Sequence, residues 1–191
     1  MKVLRGDEKM GLIGFNERLW EEVVDFHGHE CPGLAIGYRA AVTALEKLNV
    51  NRAKDEELVA IVETDACSVD AIQVIAGCTM GKGNLIYKNH GKQAFTIGNR
   101  KTGKAVRVYV DPSKLPVDRE DRKARMEMIL KAPAEDFCKI EFMALPLPEE
   151  ARIFQSVKCD SCGEKLSEAR AKLDGGKILC RACYSPYHRG W

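Results

Sequence analysis

The feature that most constrains this chain is the pair Cys159-x-x-Cys162 and Cys180-x-x-Cys183, whose inner cysteines are separated by seventeen residues. This is the spacing of a structural zinc site in which four thiolates complete a tetrahedron. A segment of about forty residues buries too little apolar surface to hold itself folded, so zinc supplies most of its folding free energy. The alternative, four cysteines buried for unrelated reasons, does not explain the doubled C-x-x-C. The module is mildly basic: from Lys158 to Trp191 there are seven Lys and Arg against four Asp and Glu. Only Tyr184 to Trp191 follow the fourth cysteine, with one Arg and one His, which is short for a DNA-reading basic extension. Tyr184, Tyr187 and Trp191 read instead as a packing or docking surface, with nucleic acid the less favoured partner.

The 191 residues leave room for one full domain ahead of this module, and a 45% hydrophobic content supports a core. Pro146 and Pro148 mark a linker, which divides the chain into a core at 1–148 and a zinc module at 149–191. With 30 Lys and Arg against 28 Asp and Glu, nothing in the overall charge calls for a nucleic acid or a membrane. No apolar run in Met1 to Gly11 resembles a secretory signal, and no stretch is long enough to span a bilayer. Eight cysteines in that setting point to a reducing compartment, where they serve metals or thiol chemistry rather than disulfides. A cytoplasmic location is therefore expected.

Apolar residues at helical spacing from Phe15 to Val24 predict an amphipathic helix. Pro32 suits the first turn of a second helix carrying Leu34, Tyr38, Ala41, Val42, Leu45 and Leu48. Leu58 to Val62 predicts a buried strand, and Ser68 the N-cap of a helix ending at Gly77. Leu85 to Tyr87, Gln93 to Ile97 and Ala105 to Val110 predict further strands, and Asp118 to Lys131 another helix. Cys138 is expected in the core, on a helix. The sum is an α+β fold, a mixed sheet with packed helices, followed by the small four-cysteine module.

Three segments of the core concentrate chemistry, and they are expected to meet in one pocket. His27-Gly28-His29-Glu30-Cys31 brings two imidazoles and a thiol together just before a helix, a donor set suited to zinc, nickel, copper or iron. Alternatively, Cys31 at the helix N-terminus is a thiolate nucleophile of lowered pKa. Asp65, Cys67 and Asp70 lie where a strand hands over to a helix, a usual place for ligands in sheets with parallel strands. Gly77 to Gly83 departs from a phosphate loop, because three residues rather than four separate Gly77 from Gly81 and Gly83 stands where Ser or Thr holds magnesium. Its glycines, Gly81 and Gly83 among them, still allow close approach to a ligand, and Lys82 suits an anionic group. Against these readings stand helix capping for His27, Asp65 and Asp70, and plain burial for Cys31 and Cys78.

Together, Phe26-His27-Gly28-His29, Cys31-Pro32-Gly33, Glu63-Thr64-Asp65 with Cys67, Val69-Asp70-Ala71-Ile72-Gln73 and Gly77-Cys78-Thr79 with Gly81-Lys82-Gly83-Asn84 resemble the formylmethanofuran dehydrogenase E-subunit family. The resemblance spans Phe15 to Leu147, and the tail resembles the treble-clef zinc finger that some members append. It implies an α+β core, a homodimer formed through that core, and association with molybdenum or tungsten enzymes of one-carbon metabolism, including methanogenesis. It does not imply that the chain is itself catalytic. The matching site positions are His27, His29, Cys31, Asp65, Cys67, Asp70, Cys78 and Lys82.

The leading expectation is an accessory subunit or small redox or transfer enzyme, an oxidoreductase component, with structural zinc in the tail and a second transition metal (Zn, Ni or Fe) in the core. His29 and Cys67 are the preferred core ligands, with His27 third or behind them and Cys31 a ligand or nucleophile. Asp65 and Asp70 orient the imidazoles, and Lys82 with Gly81 and Gly83 holds a small anionic substrate or cofactor. Two other classes compete: a metal- or redox-sensing protein whose zinc module docks a partner protein or nucleic acid, and a metal carrier. Salt separates the first pair of partners, since nucleic-acid binding weakens steeply as ions are added.

Overall fold

The computed structural model describes residues 15–118, 120–144 and 146–189. Trp191, expected in the docking surface, and the Met1 to Gly11 segment lie outside the described residues. The chain forms two units, divided after Glu150.

In the first unit, Asn16 starts helix α1 (Glu17–His27) by accepting a hydrogen bond from the Leu19 N–H at 3.0 Å. Gly28, at φ 91, ends it in the left-handed conformation that only glycine adopts freely. The helix therefore stops with His27 in its last turn. Helix α2 (Pro32–Leu48) opens after Cys31, whose sulfur caps it by accepting from the Leu34 N–H at 3.3 Å. From Leu34 to Leu45 every α2 residue is buried, so this is the central helix, surrounded by the rest of the core. Tyr38 on α2 packs against Trp20 edge-on, at 5.6 Å between centroids, and its hydroxyl meets the Asn16 backbone.

The short aliphatic run Leu58–Val62 forms strand β1, and helix α3 (Ser68–Ala76) carries the chain over to β2 (Leu85–Tyr87), which pairs parallel to β1. The N-cap of α3 is Cys67, without a side-chain cap hydrogen bond. The expected cap, Ser68, instead donates its hydroxyl to Gln93 Oε1 at 2.9 Å. Strands β3 (Ala94–Asn99), β4 (Lys104–Val110) and β5 (Cys138–Ala144) complete an antiparallel extension, giving the order β2-β1-β3-β4-β5.

Sheet register places Phe95 opposite Val108 and Val108 opposite Ile140, a row on the face that packs into the helical core. Thr96, Arg107 and Glu141 form the adjacent row on the other face. Helix α4 (Arg122–Lys131), capped by Asp121, packs on α2 through Met126, Ile129 and Leu130. Cys138 corrects one expectation: the short helix α5 (Ala134–Phe137) ends just before it, and Cys138 begins β5, paired with Val110. It is buried as expected, and burial pushes its thiol up to about 12.

Gly37 sets the closest approach in the core, because a Cβ there would collide with the backbone carbonyl of Ser68. It lets α2 and the start of α3 touch backbone to backbone. In the second unit, β6 (Ser156–Lys158) pairs with β7 (Lys165–Ser167) and β8 (Lys172–Asp174) with β9 (Lys177–Leu179), two short hairpins that hold little apolar surface. No helix among the described residues is long and apolar enough to cross a membrane.

Candidate metal centres

The tail site is built by two turns of similar design. Cys159 and Cys162 lie between β6 and β7, and Cys180 and Cys183 follow β9. Gly163, at φ 79, bends the first turn, while Cys183 and Tyr184 N–H groups both return to the Cys180 carbonyl. Asp160 ties the turns together by accepting the Ile178 N–H at 2.7 Å and donating its own N–H to the Ile178 carbonyl at 2.8 Å. All four sulfurs lie within 4.8 Å of one another. Backbone N–H groups of Cys162 and Cys180 point at the Cys159 sulfur and hold its thiol down to about 6. Four soft donors, one already favoured as thiolate, fit zinc.

The core site is assembled from three separate stretches: the end of α1, the start of α2 and the start of α3. His27, Cys31 and Cys67 present one ligand atom each, all within 4.8 Å of one another. The His27 side chain is 11% exposed, and its Nδ1 sits 2.7 Å from Asp70 Oδ2. Gln73 donates to the other Asp70 oxygen at 3.2 Å, which fixes the carboxylate. In the neutral tautomer that donates from Nδ1 to Asp70, Nε2 carries the lone pair, and this buried atom has no hydrogen-bond partner among the described residues. An orphaned imidazole nitrogen beside two sulfurs is the donor arrangement a thiophilic metal requires, with the carboxylate setting the tautomer from behind. Burial, and then the neighbouring Cys31 thiol, push Cys67 above the ordinary thiol range. Gly33 makes room here: a Cβ on it would stand 3.7 Å from both sulfurs and 3.3 Å from Cys67 Cβ.

The ligand order expected from the sequence changes. Of the two expected histidines, His27 lies in the triad, while His29 is exposed and stands outside it, with its ring 4.5 Å from that of His27. Gly28 is the cause, since its left-handed turn ends α1 with His27 turned inward. Asp70 orients an imidazole as expected, whereas Asp65 is exposed and bonds to Tyr87.

The third segment does not join the other two. Cys67 and Gly77 flank the nine-residue helix α3, so at 1.5 Å per residue about 15 Å separates them. Lys82 is spent at that far end, with its ammonium held by the carbonyls of Gly77 and Asp55. Gly81 and Gly83 form the turn that presents Lys82 there, in a loop pinned by Asn84, which accepts the Thr79 N–H and donates to the Asp55 and Leu58 carbonyls. Cys78 is fully buried, and burial pushes its thiol up to about 12. The glycine-rich segment thus packs at the far end of α3, where the Lys82 ammonium donates to two backbone carbonyls.

Known proteins share both units. A family model described as "FmdE, Molybdenum formylmethanofuran dehydrogenase operon" matches residues 26–141, and one described as "Prokaryotic dksA/traR C4-type zinc finger" matches 152–189. A protein of Archaeoglobus fulgidus named "Probable S-adenosyl-L-methionine-binding protein" is 38% identical over 201 residues, covering 90% of this chain and 54% of its own length. The chain therefore spans about half of that relative. An FmdE-like protein of the tungsten formylmethanofuran dehydrogenase type from Syntrophus aciditrophicus, known from its crystal structure, is 27% identical with a TM-score of 0.67, covering 90% of this chain and 94% of that one. With the FmdE model covering more than half of the sequence, including every ligand of the core triad, the chain belongs to the FmdE family and carries a C4 zinc finger at its C-terminal end.

Proposed function

We propose that this protein is a two-metal accessory subunit of molybdenum- or tungsten-dependent one-carbon metabolism, cytoplasmic and dimeric through its core. In this reading the tail zinc is structural and the His27–Cys31–Cys67 centre holds a transition metal used in the protein's work. The observation that carries it is the buried Nε2 of His27, unpartnered among the described residues and close to two sulfurs, with Nδ1 clamped by Asp70. A histidine serving only as a helix cap or packing group leaves no buried nitrogen unsatisfied, since that costs about 1–3 kcal/mol. Family membership supports the association with molybdenum and tungsten enzymes.

Metal counting on the full-length chain tests the proposal. Two metals per chain are expected, falling to one in His27→Ala, with the remaining one lost on adding Cys162→Ala. A wild-type content of one metal, unchanged by His27→Ala, overturns the core assignment. The name of the archaeal relative adds S-adenosylmethionine as a ligand to assay by equilibrium dialysis. Binding abolished by Cys67→Ala would put that ligand at the core centre.

A further inference from the structure

Resting on the core metal reading above, we infer that the His27–Cys31–Cys67 centre keeps its fourth position open for a small exogenous thiolate, which His29 holds by a ring N–H. The contrast with the tail motivates this. A tetrahedral ion takes four donors; the tail supplies four sulfurs within 4.8 Å, whereas the core supplies three atoms within the same limit among the described residues.

The nearby groups are committed elsewhere. Asp70 uses one oxygen on His27 and the other on Gln73. Asp65 bonds Tyr87, and Glu30 accepts the Trp20 indole N–H at 3.1 Å. The His29 ring lies 4.5 Å from that of His27, tilted by 37°, and is exposed, and it stands outside the triad. Three protein ligands with one position left over is the pattern of a metal site that exchanges ligands, as against a closed structural one.

The chemistry of the surroundings selects the occupant. Two sulfurs make the centre soft, which favours a sulfur donor over an oxygen donor. Two thiolates already neutralise a dication, so a third needs positive or N–H groups close by. The 17-residue helix α2 begins at this site, with the Leu34 N–H on the Cys31 sulfur and Gly33 against both sulfurs, and its positive end faces the ligands. The donor role falls to His29, which is exposed and has its ring 4.5 Å from that of His27.

Cobalt reports coordination directly. The full-length protein, with zinc in the tail, is loaded with cobalt in the core and titrated with 2-mercaptoethanol, using ethylene glycol as the oxygen analogue. The ligand-field bands are expected to shift and saturate with the thiol and stay fixed with the diol. His29→Ala retains one cobalt per chain but needs about tenfold more thiol for half-saturation, and His29→Gln, which keeps a side-chain donor, recovers most of that. Bands that appear but ignore the thiol at every concentration overturn the inference while leaving the core metal site standing. So does equal affinity of wild type and His29→Ala for the role of His29. Failure of the core to retain cobalt at all refutes the metal site and the open position together.

Discussion

The two cysteine clusters of this chain offer the same sulfur chemistry and are built in opposite ways. In the tail, all four ligands come from two tight turns within one small unit, and the described strands around them are three residues long. In the core, three ligands come from three elements that already pack on one another through a helix buried along most of its length. The tail therefore needs its metal to fold, whereas the core packs first and presents its candidate metal donors afterwards. A site preformed by packing can leave a coordination position open, as proposed above for the core, whereas a site that holds a fold together uses every position.

The strongest way to break this comparison is to remove a tail ligand. Cys162→Ala forfeits zinc binding worth about 10 kcal/mol or more to the module, so amide resonances of 152–189 should collapse to unfolded positions while those of the core stay put. Core resonances that collapse as well would show that the units do not fold independently. Next in size, Gly37→Ala forces α2 and α3 apart at Ser68 and should lower core stability by about 3 kcal/mol in urea titration, with tail zinc retained. Metal loss from the tail in that variant would contradict the division.

Asp70→Asn tests the core site without unfolding it. Loss of the carboxylate behind His27 should weaken core metal binding by 10- to 100-fold, about 1.4–2.7 kcal/mol, and leave the tail zinc untouched. Unchanged affinity would mean that the tautomer of His27 is set by something else.

The smallest effect expected is one of pH, confined to the core. Arg107 donates to Glu63 at 2.8 Å, and this hydrogen bond, offset by burial and aided by His90, holds the Glu63 carboxyl below the usual range. A carboxylate whose folded-state pKa is depressed stabilises the fold above its unfolded pKa, and that stabilisation is lost as pH falls through the folded value. Urea stability at pH 7 relative to pH 3 should thus contain about 1 kcal/mol from this pair, which Arg107→Met removes. Identical pH dependence in the two proteins would discount the pair.

Local patterns are legible along the chain. The aliphatic runs at β1 and β2 end where the residues change character, and Pro32 and Gly28 mark helix boundaries for the reasons their backbones dictate. Strand β5 is harder to see, although Cys138, Ile140 and Phe142 alternate with Lys139 and Glu141. The helical stretch before it disguises a period of two. The glycine-rich loop is hard to place from sequence for a different reason: its composition matches a ligand loop, and only the fold shows that Lys82 donates to two carbonyls of its own chain, away from the core triad.

The sequence by itself determined the tail, because ligands a few residues apart are held together by the turn that contains them, and spacing alone carries that information. It also determined which residue types stand near the core centre. Only the tertiary structure decided that His27 rather than His29 turns inward, that Asp70 clamps it, and that Cys31 and Cys67 converge while Cys78 stays a helix length away. Those outcomes depend on where one helix stops and how closely two others approach, and such distances are set by packing between elements remote along the chain.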